Sequence, residues 1–140
     1  MASTYIHRTL SGSSNREKWT FSAWVKISGN PTGSYGYLFS NTDATNHTAK
    51  ILTFNNNEAK FGFADSLIST EILTNRLLRD NNGWYHLMVV LDTAQGTASD
   101  RVKLYINGNL IDQDTGPTGV IENNNNVVFG KYASVNLSYF

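Results

Sequence analysis

The sequence predicts an all-β protein of consecutive antiparallel strands, and three observations carry that prediction. Short apolar runs alternate with polar residues at period two. Clusters of Gly, Asn, Ser and Thr interrupt those runs at short intervals, and Asn107-Gly108 sits between two alternating segments. An Asn-Gly pair suits a two-residue hairpin because both central residues of a type I′ turn need positive φ. With 140 residues, the chain is long enough for one domain with a true core, so residues 1–140 are read as a single unit.

The elements follow in order. "KWTFSAWVKIS" (18–28) alternates, with Phe21, Ala23, Val25 and Ile27 on one face and Thr20, Ser22, Trp24 and Lys26 on the other. "GNPTGSYG" (29–36) closes that strand as a turn, "YLFS" (37–40) is a second short strand, and "NTDATNHT" (41–48) is a polar loop. "AKILTFNNNEAKFGFAD" (49–65) reads as a hairpin around "NNNE", because Asn tolerates the left-handed turn conformation. "LISTEILTNRLLRDNNG" (67–83) has Leu and Ile spacing that fits a short helix. Its β-branched content and its neighbours favour a strand followed by a loop.

"GWYHLMVVLD" (83–92) sets Tyr85, Leu87, Val89 and Leu91 against Trp84, His86, Met88 and Val90. Both sets are mostly apolar, which predicts a central strand covered on each side and puts Trp24 and Trp84 in the core, with Trp19 at a strand entry. After a loop at 93–100, "RVKLYING" points Val102, Leu104 and Ile106 inward and Lys103 and Tyr105 outward; "NLIDQ" is the returning arm. The tail contributes one more strand at 126–130.

Charge and composition narrow the function. Eleven Lys and Arg balance eleven Asp and Glu, so the basic excess that nucleic-acid binding exploits is missing, and no polybasic membrane patch occurs. No apolar run reaches membrane-spanning length, and the first residues lack the apolar stretch of a secretion signal. Without cysteine, disulfides, thiolate metal sites and a Cys nucleophile are excluded.

"WTFSAWVKI", "GWYHLMVVLD" and "VKLYINGNLI", in that order, resemble the laminin-G-like branch of the concanavalin A-like lectin/glucanase superfamily. The resemblance runs from about Tyr5 to Tyr132 and implies a jelly-roll sandwich of two curved antiparallel sheets. "NREKWTFSAWVK" and "TASDRVKLYING" are similar to modules of marine bacteriophage tail fibres and other virion proteins. That subtype implies a place in a virion or on an extracellular surface, with glycans or neighbouring virion proteins as partners. Family members usually end in an "F-D-G-x-I" strand, whereas this sequence stops at "SYF"; the expectation is either that the sequence is a shortened one or that a neighbouring chain or a second copy fills an open sheet edge.

Chemistry-bearing residues divide into three groups. Hydrolases of this fold need paired carboxylates on one strand face. Only Asp112 and Asp114 have the spacing, and they are read as solvated loop residues, so no enzyme is expected; a glycoside hydrolase-like domain is the alternative. His7, His47 and His86 lack metal-ligand spacing, and no G-x-S-x-G elbow supports a Ser-His pair. The family resemblance implies a possible Ca²⁺ site, as in a calcium-dependent lectin. Asp43, Asn46, Asp92 and Asp100 are its oxygen ligands, although Asp92 and Asp100 equally suit capping of the turns around 93–99. Sugar recognition needs aromatic faces and amides, which Tyr35, Tyr37, Asn46 and Asn82 would provide; the bland alternative for each is a turn former or an edge aromatic.

Overall fold

In the computed structural model, the described residues are 6–9, 17–26, 35–42, 48–55, 59–65, 70–114, 126–129, 131–132 and 135–136. They form the strands β1 (Ile6–Thr9), β2 (Lys18–Lys26), β3 (Tyr35–Thr42), β4 (Thr48–Asn55), β5 (Lys60–Asp65) and β6 (Thr70–Leu77). β7 (Trp84–Asp92), β8 (Val102–Ile106), β9 (Asn109–Asp114), β10 (Asn126–Phe129), β11 (Lys131–Tyr132) and β12 (Val135–Asn136) follow. A short 3₁₀ turn, Ala98–Asp100, interrupts the connection between β7 and β8.

All described pairings are antiparallel, and they make two main sheets. One has six strands in the order β1-β10-β3-β4-β5-β6, and the other has four in the order β2-β7-β8-β9. β11 and β12 form a separate small pair. The strand at 126–129 therefore joins the six-stranded sheet, between β1 and β3, rather than following β9.

The core lies between the two sheets and follows from period-two alternation. Leu87, Val89 and Leu91 of β7 and Val102, Leu104 and Ile106 of β8 meet Leu38 of β3, Phe61 and Phe63 of β5, and Ile72 of β6. Trp19, Phe21 and Val25 of β2 complete that layer, with Trp19 edge-on to Phe63 at 5.8 Å between ring centroids. The alternation read within residues 18–28 and 102–106 thus names the inward faces of β2 and β8 among the described residues, and residues 70–83 are a strand and then a loop, as favoured.

Two local devices fix the registers. Asn107 and Gly108 have φ of 53° and 79°, the positive values that a tight β8–β9 hairpin demands of its two turn residues. Between β5 and β6 the ladder is irregular after Lys60, and the buried Thr74 mends it. Its hydroxyl accepts the buried Phe61 N–H at 3.2 Å and donates to the part-buried Arg76 carbonyl at 3.1 Å, so neither backbone group is left unpaired. At Gly62 the neighbouring strand leaves no room for a side chain: a Cβ there would stand 2.6 Å from the Ile72 carbonyl oxygen.

Three expectations need correction. β7 is buried on one face only, and its other face is open or half-open. The mostly apolar residues 84, 86, 88 and 90 therefore mark a solvent-facing surface, not a second covered side. Trp24 and Trp84 are accordingly not core: they are 66% and 61% exposed, the largest exposures among the big apolar side chains described. Asp112 and Asp114 stand on β9, opposite Leu104 and Val102, and not in a loop. A bulge beside Leu104 absorbs the extra residue and shifts the alternation of the returning arm.

Candidate functional site

The outer face of the four-stranded sheet is where unusual side chains gather. The register sets Trp24 opposite His86 and Lys26 opposite Trp84; Ser22 lies opposite Met88, Met88 opposite Tyr105, and Tyr105 opposite Leu110. Directly paired residues share a face, so all of these lie on the side away from the core. Exposing two indoles and Leu110, itself 47% exposed, forgoes burial that the same chain achieves for Phe61 and Phe63. A contiguous apolar strip of this kind, rimmed by polar groups, marks a binding surface.

His86 is held firmly within the strip. Its ring shares a 2.8 Å hydrogen bond between Nε2 and Ser22 Oγ, and it lies against the Trp24 indole at 5.1 Å between centroids with a 38° tilt. Its backbone is clamped by Asn107, whose Oδ1 accepts the His86 N–H at 2.8 Å while its own N–H donates to the His86 carbonyl at 2.8 Å. The hairpin turn thus fixes the middle of the strip as well as the β8–β9 register. Ser22 and His86 have the separation of a nucleophile and its base. Among the described residues, however, no carboxylate bonds to the other ring nitrogen to orient it for proton transfer. What this geometry does is orient the imidazole against Trp24.

The approach to Trp84 is equally ordered. Asp80 Oδ1 accepts the N–H groups of Asn82 at 2.9 Å and Gly83 at 3.0 Å, and the Asp80 N–H donates to the hydroxyl of the buried Tyr85 at 2.7 Å. Asn82 is therefore an exposed turn residue two positions before Trp84, at one end of the strip. Tyr35 and Tyr37 stand on β3 of the opposite sheet, and their side chains lie outside the described residues, as do Asp43 and Asn46 altogether. Of the four residues expected to bind sugar, Asn82 is the one whose side chain lies among the described residues, two positions before Trp84.

Asp92 and Asp100 flank the connection between β7 and β8. Asp92 accepts the Ala94 N–H at 3.1 Å and Gln95 Nε2 at 2.7 Å, and lies 3.2 Å from Lys18 Nζ. Asp100 pairs with Lys103 at 2.8 Å, and Arg101 Nε donates to the Gln95 carbonyl at 3.0 Å. As placed, each carboxylate faces donors of its own, and no group of three His, Asp or Glu side chains converges among the described residues. No helix among them is long and apolar enough to cross a membrane.

These bonds have a consequence for acid stability. The Gln95 amide foremost, then Lys18 and the Ala94 N–H, outweigh desolvation and hold the Asp92 carboxyl below its ordinary value of 3.8. A carboxylate with a depressed folded-state pKa stabilises the fold fully above the unfolded value and loses that contribution as pH falls through the folded one. The urea midpoint is therefore expected to fall on acidification from about pH 5 toward about pH 2. Asp92→Asn should lose less over the same interval; equal losses in both proteins would contradict this role.

Comparison with known proteins agrees with the architecture. The sequence profile Laminin_G_3, described as the concanavalin A-like lectin/glucanases superfamily, matches residues 2–140. The chain belongs to that superfamily. A solved structure, the native heptameric SAP-like pentraxin from Limulus polyphemus, superposes with a TM-score of 0.64 at 18% sequence identity. The match covers 94% of this chain and 59% of the pentraxin chain, so the chain spans little more than half of that protein. At that identity the likeness speaks for the jelly-roll sandwich alone. No curated protein sequence matches the chain.

Proposed function

We propose that this chain is a non-enzymatic, glycan-binding β-sandwich module of a virion or other extracellular surface assembly. The observation that carries the binding role is the exposed Trp24–Trp84 pair on the outer sheet face. An indole face packs against the apolar C–H face of a pyranose, while neighbouring donors and acceptors take up the hydroxyls. Ser22, His86, Asn82 and Lys26 are such neighbours. The superfamily's description, which names lectins and glucanases, supports the ligand class.

The non-enzymatic reading is supported by the strip's described side chains, which are rings, a hydroxyl and an imidazole and not the paired carboxylates of a glycosidase. The place in a virion rests on the likeness of "NREKWTFSAWVK" and "TASDRVKLYING" to phage modules. Neighbouring proteins, or a second copy, would then pair along a sheet edge such as β2 or β9.

A glycan array probed with the intact chain, with and without Ca²⁺, tests the binding role. Selective retention on a subset of pyranose glycans is expected. No retention under either condition would leave the fold as a structural spacer and overturn the proposal.

A further inference from the structure

We infer that the outer face of the four-stranded sheet takes an extended, unbranched, equatorially linked pyranose chain, held across β2 and β7 by the ring faces of Trp24 and Trp84 and independent of calcium. This inference rests on the glycan-binding reading above and names the site and the ligand's shape.

The register gives the spacing. Trp24 pairs with His86, and Trp84 precedes His86 by two residues on the same strand face, opposite Lys26. The two indoles are therefore diagonal neighbours on adjacent strands, roughly 7 Å apart at their backbones. They sit on one side of one sheet, so they offer a platform and not a pocket. A single sugar can cover only one such ring at a time. A chain whose linkages are equatorial is a flat ribbon with C–H surface along its length, and it can cover both.

The strip's neighbours suit the same ligand. Polar groups accompany both rings: Lys26 and the exposed Asn82 near Trp84, and the Ser22–His86 pair beside Trp24. The Ser22 bond and the Asn107 clamp hold His86 before any ligand arrives, and His86 in turn backs the Trp24 ring. Preorganised rings lose little freedom on binding, which is what lets an open surface hold a flexible chain. The calcium independence follows from the ligand chemistry: rings, a hydroxyl and an imidazole need no bridging cation, and no carboxylates converge among the strip's described residues.

The test is a calorimetric titration of the intact chain with β-1,4-linked gluco-, manno-, xylo- and chito-oligosaccharides, from monosaccharide to hexasaccharide, in Ca²⁺ and in EDTA. In at least one series, affinity should rise at least tenfold between the monosaccharide and the tetrasaccharide and be unchanged by EDTA. Trp24→Ala and Trp84→Ala should each weaken the longer ligands at least tenfold, whereas Asn75→Ala, an exposed position on β6 of the other sheet, should leave them unchanged. Equal affinity for monosaccharide and chain, loss of binding in EDTA, or tryptophan variants that bind normally would overturn the inference while leaving glycan binding intact. Failure of every series, with array binding to other glycans, would do the same. Failure of both the series and the array would remove the glycan-binding reading itself.

Discussion

Replacing Phe63 by alanine is expected to destabilise the protein by about 3–5 kcal/mol, a large part of the roughly 5–15 kcal/mol that holds a domain of this kind folded. Phe63 is fully buried at the middle of β5, where it stands between Ile51 of β4 and Ile72 of β6 in the ladder. It also supplies the surface on which the Trp19 ring rests. Truncation leaves a cavity that the two rigid sheets cannot close, and Trp19 loses its edge-to-face partner. The Trp19 Nε1 donor is already buried with no acceptor among the described residues, so that corner has no spare polar bond to compensate. Urea unfolding followed by circular dichroism should show the midpoint falling sharply. A loss below about 1 kcal/mol would mean that the two sheets do not meet at Phe63.

The opposite pattern is expected of the double replacement Trp24→Ala, Trp84→Ala. Both side chains are mostly exposed, so stability should change by no more than about 1 kcal/mol, the scale of a cross-strand pair such as Trp24–His86. Binding to a retained polysaccharide should collapse. Aromatic anchors at a binding centre each cost on the order of 2 kcal/mol when truncated, roughly thirtyfold in affinity, and two of them together take a moderate affinity beyond ordinary detection. Unimpaired binding in a folded double variant would move the ligand to another surface. A variant that fails to fold would show that these indoles serve the sandwich and not a partner.

Much of the fold was legible because period-two alternation reports burial directly. Leu87, Val89 and Leu91, like Val102, Leu104 and Ile106, are inward by pattern and fully buried in fact. Asn107-Gly108 announced its turn for a steric reason that tertiary context seldom overrides. The sheet assignments were not legible, since nothing local tells residues 126–129 to join β1 and β3 rather than β9. The bulge in β9 escaped for a related reason: one extra residue in an otherwise regular arm leaves no mark in the pattern.

The site was harder to see than the fold. Trp24 and Trp84 are large and apolar, and size alone argued for the core. A signal that Trp24 faces outward was nevertheless present, because it shares a face with Thr20, Ser22 and Lys26, a set too polar to be buried together. For β7 the signal was masked, because Met88 and Val90 make its outer face as apolar as a covered one. Turn-rich loops drew attention to Asn82, whose relation to Trp84 depends on the Asp80 turn that precedes both.

The most direct measurement is quenching of intrinsic tryptophan fluorescence by acrylamide, with and without a saturating polysaccharide from the array. The chain's three tryptophans divide into Trp19, packed against the core, and Trp24 and Trp84, open to solvent. If sugar rings lie on the exposed pair, the polysaccharide should shield most of the quenchable signal in the wild type and none in the double alanine variant. Tight binding with quenching unchanged would contradict the account, since the ligand would then be bound without covering either exposed indole.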